Sequence, residues 1–441
     1  MSDHTTVQMP SLSDAIKETT RRYVAANPRS QAKFEEATQY LPGADTRTVN
    51  HYDPFPITIV RGKGSNLFDL DGNTYTDFLG DYTAGLYGHS HPTICAAIVE
   101  ALEGGLAFGG PHSNQHEFAA LLCARFPSIE RVRFTNSGTE ANLMALSLAR
   151  VATGRTKVLA FEGGYHGGIL DFTGPDRRLN ASFSWVMGSY NDSAATRELM
   201  SRHHENLAAV IVEPMLGGGG CIPGTKEFLD TLRQESEKIG AILIFDEVQT
   251  SRLGPGGLQQ NLGITPDLTT LGKYLGGGAS FGAFGGRADL MELFDPRRKD
   301  NLHHAGTHNN NVISLSAGLV GFRDVYTPEV AEAHTNRGEQ LRTRLNLVAE
   351  KRGIPAHLTG LGSIMNVHFQ RGRIRRREDL SANRLPTDLF HLEMLLSSFY
   401  VARRGFMSLS LAHTEEDCDR LVEAFDAFLE QHEITLESDL A

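Results

Sequence analysis

The sequence predicts an α/β fold in which a large, mostly parallel sheet is covered by helices on both faces and a smaller α+β unit follows. Two observations carry this. From about residue 115, helical patterns alternate with short continuous apolar runs at 132–134, 158–161, 208–212 and 241–245, each bounded by turn residues; strands apolar along their whole length are buried on both faces, the habit of parallel sheets. After about residue 320 the pattern changes to long helices mixed with isolated strand candidates. The expected division is an N-terminal arm with part of the smaller domain over 1–80, the large ligand-binding domain over 81–320, and the C-terminal small domain over 321–441.

The elements follow in order. Residues 11–26 and 30–40 read as two short helices broken at Asn27-Pro28, without a strong core stripe, and so as an arm packed on something larger. Strand patterns at 57–61, 65–69 and 74–78, with Asp71-Gly72 turning between the last two, fit a small antiparallel sheet. The helix before Asp246 places Phe228, Leu229, Leu232 and Ile239 on one face and ends at Gly240. Helices are expected near 328–352 and 386–400, strands at 364–369 and 406–411, and a last helix opened by a capping box from Thr414 to Asp417, with Leu421, Val422, Phe425, Phe428 and Leu429 as its buried stripe. The basic run from Arg371 to Arg377 reads as a solvated loop.

Composition narrows the functional classes. A chain of 441 residues suffices for two or three domains, so core size is not limiting. Lys+Arg 42 against Asp+Glu 53 leaves a net charge of −11, which disfavours nucleic acid and anionic membranes as partners. Any anionic ligand must therefore be held by local cations. Cys95, Cys123, Cys221 and Cys418 show neither zinc spacing nor a disulfide framework, so no metal is expected. Met1 to Thr6 lacks the basic and apolar stretches of a signal, and no run approaches the length of a membrane span. The expectation is a soluble cytoplasmic protein.

Four segments carry chemistry. Ser137-Gly138-Thr139-Glu140-Ala141-Asn142 follows the run at 132–134 and opens a helix, so its amides and hydroxyls can converge on a phosphate, although an ordinary N-cap reads the same. In Gly163-Gly164-Tyr165-His166-Gly167-Gly168, the glycines let backbone approach a ligand and Tyr165 can lie flat on an aromatic ring; a core-capping tyrosine is the alternative, and His166 could meet the ligand or only backbone. Asp246 ends a strand too apolar for an unpartnered carboxylate, and either a pyridinium nitrogen or a neighbouring lysine or arginine would satisfy it. Val248 would then pack the opposite ring face and Gln249 could reach the phenolic oxygen. Lys273, in Leu271-Gly272-Lys273-Tyr274-Leu275-Gly276, is a lysine among glycines that can hold pyridoxal phosphate as an imine while Asp246 faces the ring nitrogen. Once freed by substrate, its amine can carry a proton between the substrate carbon and the cofactor's C4′. Taken singly, it could also be a solvent-facing loop lysine.

Taken in order, these segments, with Val212-Glu213-Pro214-Met215 and Asp246-Glu247-Val248-Gln249-Thr250, resemble the class III aminotransferases, the ω-aminotransferase group of fold-type I pyridoxal phosphate enzymes, from about residue 30 to 432. The resemblance implies a seven-stranded-type large sheet and a homodimer with shared active sites. It further implies that Thr307 of Ala305-Gly306-Thr307-His308-Asn309 reaches the partner subunit's phosphate and that Glu213 stands at the edge of the site.

Within the class, Gly306-Thr307, Gly405-Phe406-Met407-Ser408 and the segment from Ala412 to Asp417 are similar to glutamate-1-semialdehyde aminomutase. The aminomutase carries an acid two places before its Gly-Phe pair. This chain has Arg403 there, with Arg404 beside it, and a cation favours a carboxylate and thus a two-substrate transamination. The segment from Tyr40 to Val49, Asp81-Tyr82-Thr83-Ala84-Gly85 and Arg404-Gly405-Phe406 resemble the β-amino-acid aminotransferases. That resemblance implies Arg47 as the receptor for the carboxylate of an aromatic β-amino acid such as 3-amino-3-phenylpropanoate. Arg404 would receive that of a keto-acid acceptor, 2-oxoglutarate or pyruvate. Read from the residues alone, Arg47 could be a surface loop residue and Arg404 a structural ion pair. The aminomutase and another ω-amine transaminase are the alternatives.

Overall fold

The computed structural model describes residues 11–440, so the segment from Met1 to Thr6 lies outside the described residues. Seven strands form the large sheet in the spatial order Arg131–Thr135, Gly282–Gly286, Leu268–Gly272, Ile242–Asp246, Leu207–Val212, Lys157–Phe161 and Ser184–Gly188. Gly282–Gly286 runs antiparallel to both neighbours and the other pairings are parallel. Every residue of Leu207–Val212 and Ile242–Asp246 is buried, as their unbroken apolar sequence requires. The four apolar runs are all strands here. Of the three strands without such runs, Gly282–Gly286 is mostly glycine, and a Cβ at Gly282 would fall 2.1 Å from the Ser137 carbonyl oxygen, so close backbone approach demands that composition.

Helices cover the sheet. Lys226–Ile239 is capped by the Thr225 side chain, buries Phe228, Leu229 and Leu232, and stops at Gly240 with φ +66°.

Strands Ile59–Lys63, Asn66–Asp69 and Thr74–Asp77 form the expected antiparallel sheet, which Phe399–Tyr400 extends in parallel. The expected helix over 386–400 is therefore corrected: Leu385–Leu396 ends at Ser397, Ser398 takes φ +66°, and the chain returns as a strand. A second sheet joins Ala356–Leu361, Ile364–Phe369 and Phe406–Ser408. The N-terminal helix Leu12–Ala26 is tied to Leu385–Leu396 by Thr19 Oγ1 and Arg22 Nη1, which donate to Glu393 Oε1 at 2.6 and 3.0 Å. The last helix has its capping box: the Thr414 amide donates to Asp417 Oδ2 at 2.9 Å and the Asp417 amide to Thr414 Oγ1 at 3.1 Å. Among the described residues no helix is long and apolar enough to cross a membrane, and no His, Cys, Asp and Glu cluster could hold a metal.

Candidate active site

The segments singled out from sequence lie after the carboxyl ends of strands Arg131–Thr135, Lys157–Phe161, Ile242–Asp246 and Leu268–Gly272. There they line one cavity of 360 Å³ with Ser137, Gly138, Thr139, Tyr165, His166, Glu213, Asp246, Val248, Gln249 and Lys273 on its wall. Ser137 caps helix Gly138–Thr153 by accepting from the Glu140 amide at 3.1 Å, so the N-cap and the cavity wall are one feature rather than alternatives. That helix end presents amides and the positive end of its dipole to the cavity. A Cβ at Gly138 would fall 2.7 Å from Val248 Cγ2, and one at Gly167 2.1 Å from Thr139 Oγ1, so both glycines are required by close packing.

Asp246 is almost fully buried, and no lysine or arginine pairs with it among the described residues. Its Oδ2 accepts from Asn142 Nδ2 and His166 Nδ1, each at 2.8 Å, and its Oδ1 from the Val248 amide at 3.0 Å. The Thr270 hydroxyl donates to Asn142 Oδ1 at 2.6 Å, which turns the Asn142 NH2 toward Asp246. His166 thus contacts the acid, not only backbone. Sequence alone assigns no role to Asn142 or Thr270; a buried amide in an otherwise apolar helix face is the available signal for the former.

Lys273 has φ +55° at the strand's end and donates from Nζ to the Tyr82 carbonyl at 2.9 Å. That carbonyl belongs to three successive non-glycine residues, Asp81, Tyr82 and Thr83, with φ of 42°, 53° and 82°. Such conformations cost on the order of 1 kcal/mol or more each and persist where packing imposes them. Burial pulls the Lys273 ammonium down to about 8, opposed by the carboxylates of Asp81, Glu213 and Asp246 and reinforced by Arg404. Glu213 accepts from the Tyr165 amide at 2.8 Å and from the Gly217 amide at 3.1 Å, fixing the segment that carries the Tyr165 ring, and its own burial pushes its carboxyl above the usual range. Gln249 Oε1 is buried without a hydrogen-bond partner.

These features fit pyridoxal phosphate: a free-base-prone amine, an acid braced to receive a ring N–H, an unpartnered amide oxygen, and a helix N-terminus for the phosphate. Thr307 is elsewhere. It is exposed and lines a separate surface cavity with Gly110, Arg133 and His304.

The arginines divide. Arg47 donates from Nη1 to Asp81 Oδ1 at 2.5 Å, with its guanidinium carbon 5.6 Å from the Tyr82 ring centroid. Arg404 lies over the same ring at 4.7 Å and over Phe406 at 5.2 Å. Arg403 corrects an expectation: its Nε and Nη2 bind Asp388 at 2.7 and 3.2 Å, so it is a structural ion pair and offers nothing to a substrate carboxylate. The basic run also departs from a solvated loop, because Arg377 is partly buried and donates to the Thr173 carbonyl at 3.2 Å.

Comparison with known proteins gives a consistent picture. The Aminotransferase class-III family profile matches residues 48–384. The chain is 50% identical over 423 residues to a beta-phenylalanine transaminase of Variovorax paradoxus, covering 96% of this chain and 97% of that one. It is 36% identical to a glutamate-1-semialdehyde 2,1-aminomutase of Brevibacillus brevis, over 90% and 97% of the two chains. Among solved structures, a beta-phenylalanine aminotransferase from Variovorax paradoxus superposes with TM-score 0.95 at 49% identity over 96% of this chain and 99% of that one. An omega-transaminase from Sphaerobacter thermophilus superposes with TM-score 0.86 at 34% identity over 91% and 97%.

Proposed function

The chain belongs to the class III aminotransferases, which are pyridoxal phosphate enzymes, and from that premise we propose that it moves the amino group of an aromatic β-amino acid, such as 3-amino-3-phenylpropanoate, to a keto acid, 2-oxoglutarate or pyruvate, in two half-reactions. The observation that carries this reading is the pair of guanidiniums, Arg47 and Arg404, set on the ring of Tyr82, whose carbonyl receives Lys273. Two carboxylate substrates visiting one site call for two such cations.

When bound, pyridoxal phosphate supplies an aldehyde that takes up the amine and a ring that accepts the electrons released when the substrate C–H bond breaks. The chain's residues do the rest. Lys273 Nζ, partly deprotonated near neutrality, would take the proton from C3 of the donor and carry it to the cofactor when that group is bound. Asp246 would hold the ring N–H of the bound cofactor, while Asn142, His166 and the Val248 amide keep its oxygens in place. Arg47 orients the donor carboxylate with the N–H groups that Asp81 leaves free. In the second half-reaction the keto acid enters, Arg404 holds its carboxylate, and Lys273 moves the proton back.

The test is Arg47→Ala. Its KM for 3-amino-3-phenylpropanoate is expected to rise about 30-fold, matching about 2 kcal/mol for a lost charge-assisted hydrogen bond. Turnover of a simple amine such as 1-phenylethylamine should stay within about threefold of wild type. Equal losses on both donors would refute the assignment, and turnover of glutamate-1-semialdehyde without any keto acid would favour the aminomutase.

We also infer a homodimer with shared sites. Thr307 is exposed and outside its own chain's Lys273 cavity, and Val99, Leu102, Leu106 and Phe108 expose an apolar face. Light scattering of the holoprotein should give twice the chain mass; a stable monomer with full activity would end this inference. Four unpaired cysteines suit a reducing compartment such as the cytoplasm.

A further inference from the structure

Three carboxylates line the Lys273 cavity: Asp81, Glu213 and Asp246. Two of them have both oxygens engaged. Asp246 accepts from Asn142, His166 and the Val248 amide, and Glu213 gives one oxygen to the Tyr165 amide and the other to the Gly217 amide. Asp81 differs. Arg47 Nη1 donates to its Oδ1, and its Oδ2 has no hydrogen-bond or ion-pair partner among the described residues. The Asp81 side chain is 60% exposed, so that oxygen is open to a ligand. After burial, Asp81 is the strongest influence on the Lys273 ammonium, ahead of Glu213, which places its charge within reach of a nitrogen arriving there.

Asp81 also lines a neighbouring cavity of 490 Å³ on whose wall Arg47 stands, so one side chain belongs to both spaces. Guanidinium, carboxylate and amine thus follow one another as Arg47, Asp81 and Lys273. An ion pair this exposed adds little to stability. Asp81 also holds φ +42°, uncommon for a residue other than glycine. Stability is therefore a weak reason for a carboxylate at this place. An amino acid donor arrives as a zwitterion, and its nitrogen must come to rest beside the lysine it displaces.

We propose that Asp81 receives the ammonium of the arriving donor on Oδ2 while Arg47 takes its carboxylate, so that the pair reads the two opposite charges of the zwitterion. The proposal rests on the transaminase reading above. Each charge of the donor then meets its opposite, and neither protein side chain is left with a like charge beside it. A keto acid brings no cation and gains nothing from Asp81. This carboxylate therefore separates donor from acceptor at a site that both must enter.

The test uses the holoenzyme and Asp81→Asn, which preserves the side-chain outline and suits a left-handed backbone, so the fold should survive. Three probes that cannot form an imine separate the charges. 3-Phenylpropanoate carries the carboxylate alone, N,N-dimethyl-1-phenylethylamine the ammonium alone, and 3-(dimethylamino)-3-phenylpropanoate both. By calorimetry, Asp81→Asn should weaken the two ammonium-bearing probes about tenfold and bind 3-phenylpropanoate as tightly as wild type or tighter. Arg47→Ala should do the reverse, weakening the two carboxylates and sparing the amine. In turnover, Asp81→Asn should raise KM for 1-phenylethylamine about tenfold and leave that for the keto acid unchanged. If Asp81 served only to hold Arg47, its loss would weaken 3-phenylpropanoate and spare the amine. That pattern, equal loss on all three probes, or no loss on any would overturn the proposal. The absorbance change on adding 3-amino-3-phenylpropanoate without acceptor reports the donor half-reaction alone. Its absence in wild type would sink the transaminase reading, whereas its presence with unaltered amine affinity in Asp81→Asn would sink only the role given to Asp81.

Discussion

Lys273→Ala is expected to lower transamination about ten-thousand-fold or more, since on the proposed mechanism one substitution removes both the amine that bonds the cofactor and the base that carries the proton. The protein should still fold. Lys273 makes one side-chain hydrogen bond among the described residues, to the Tyr82 carbonyl, and sheds a buried charge when truncated. The variant should also lose the visible absorbance that wild type gains on loading with pyridoxal phosphate, while binding the cofactor noncovalently. The depressed Lys273 value adds a pH signature. Below about 8 the amine is mostly protonated, so cofactor capture by the wild-type apoprotein should accelerate about tenfold per pH unit up to that point and level off above it. Stability follows the same sign: the unfolded lysine binds its proton more tightly, so the apoprotein gains stability as pH rises from about 8 toward 10.5, the ordinary value. A covalently loaded, coloured Lys273→Ala protein, or capture that is flat between pH 6 and 8, would contradict this account.

Asp246→Asn should cost about a thousandfold in kcat in both half-reactions. The substitution keeps the shape and removes the charge proposed to hold the ring N–H, a loss of the size seen when a preorganised electrostatic partner is deleted. It also introduces a donor where only acceptors fit. Asn142 Nδ2, His166 Nδ1 and the Val248 amide all point at the present carboxylate, so one hydrogen bond becomes a clash between two donors, worth about 1–3 kcal/mol of stability. Cofactor affinity should change less than kcat, because on the proposed reading the Ser137–Thr139 helix terminus on the cavity wall would hold the phosphate end and Lys273 the aldehyde end. Single-turnover measurements of each half-reaction decide it, and a kcat within about fivefold of wild type would remove Asp246 from the electrostatic role.

Residues whose signal is local were legible in the chain. Asp246 stands out in sequence because an apolar strand announces its own end, Lys273 because glycines flank it, Ser137 because a helix begins there, and the Thr414 capping box because its two partners are three positions apart. The small-sheet strand Phe399–Tyr400 reads as helix in sequence, because its pairing partner, Thr74–Asp77, lies more than three hundred positions earlier and no local period records it.

The site's supports belong to tertiary structure alone. Asp246 is braced by Asn142 and His166, and Asn142 is oriented by Thr270, four residues brought together from two strands, a helix and a loop. Nothing in sequence marks the Tyr82 carbonyl as the partner of Lys273, since that contact depends on a left-handed turn that packing imposes on residues 81–83. Arg403 and Arg404 make the division plain. They are adjacent and chemically identical, yet one is spent on Asp388 and the other lies over Tyr82. Sequence determines which side chains a chain owns and which local elements they favour. Where a flexible cation comes to rest depends on the charges and rings that distant segments bring within a few ångströms of it, and that is settled only when the whole chain packs.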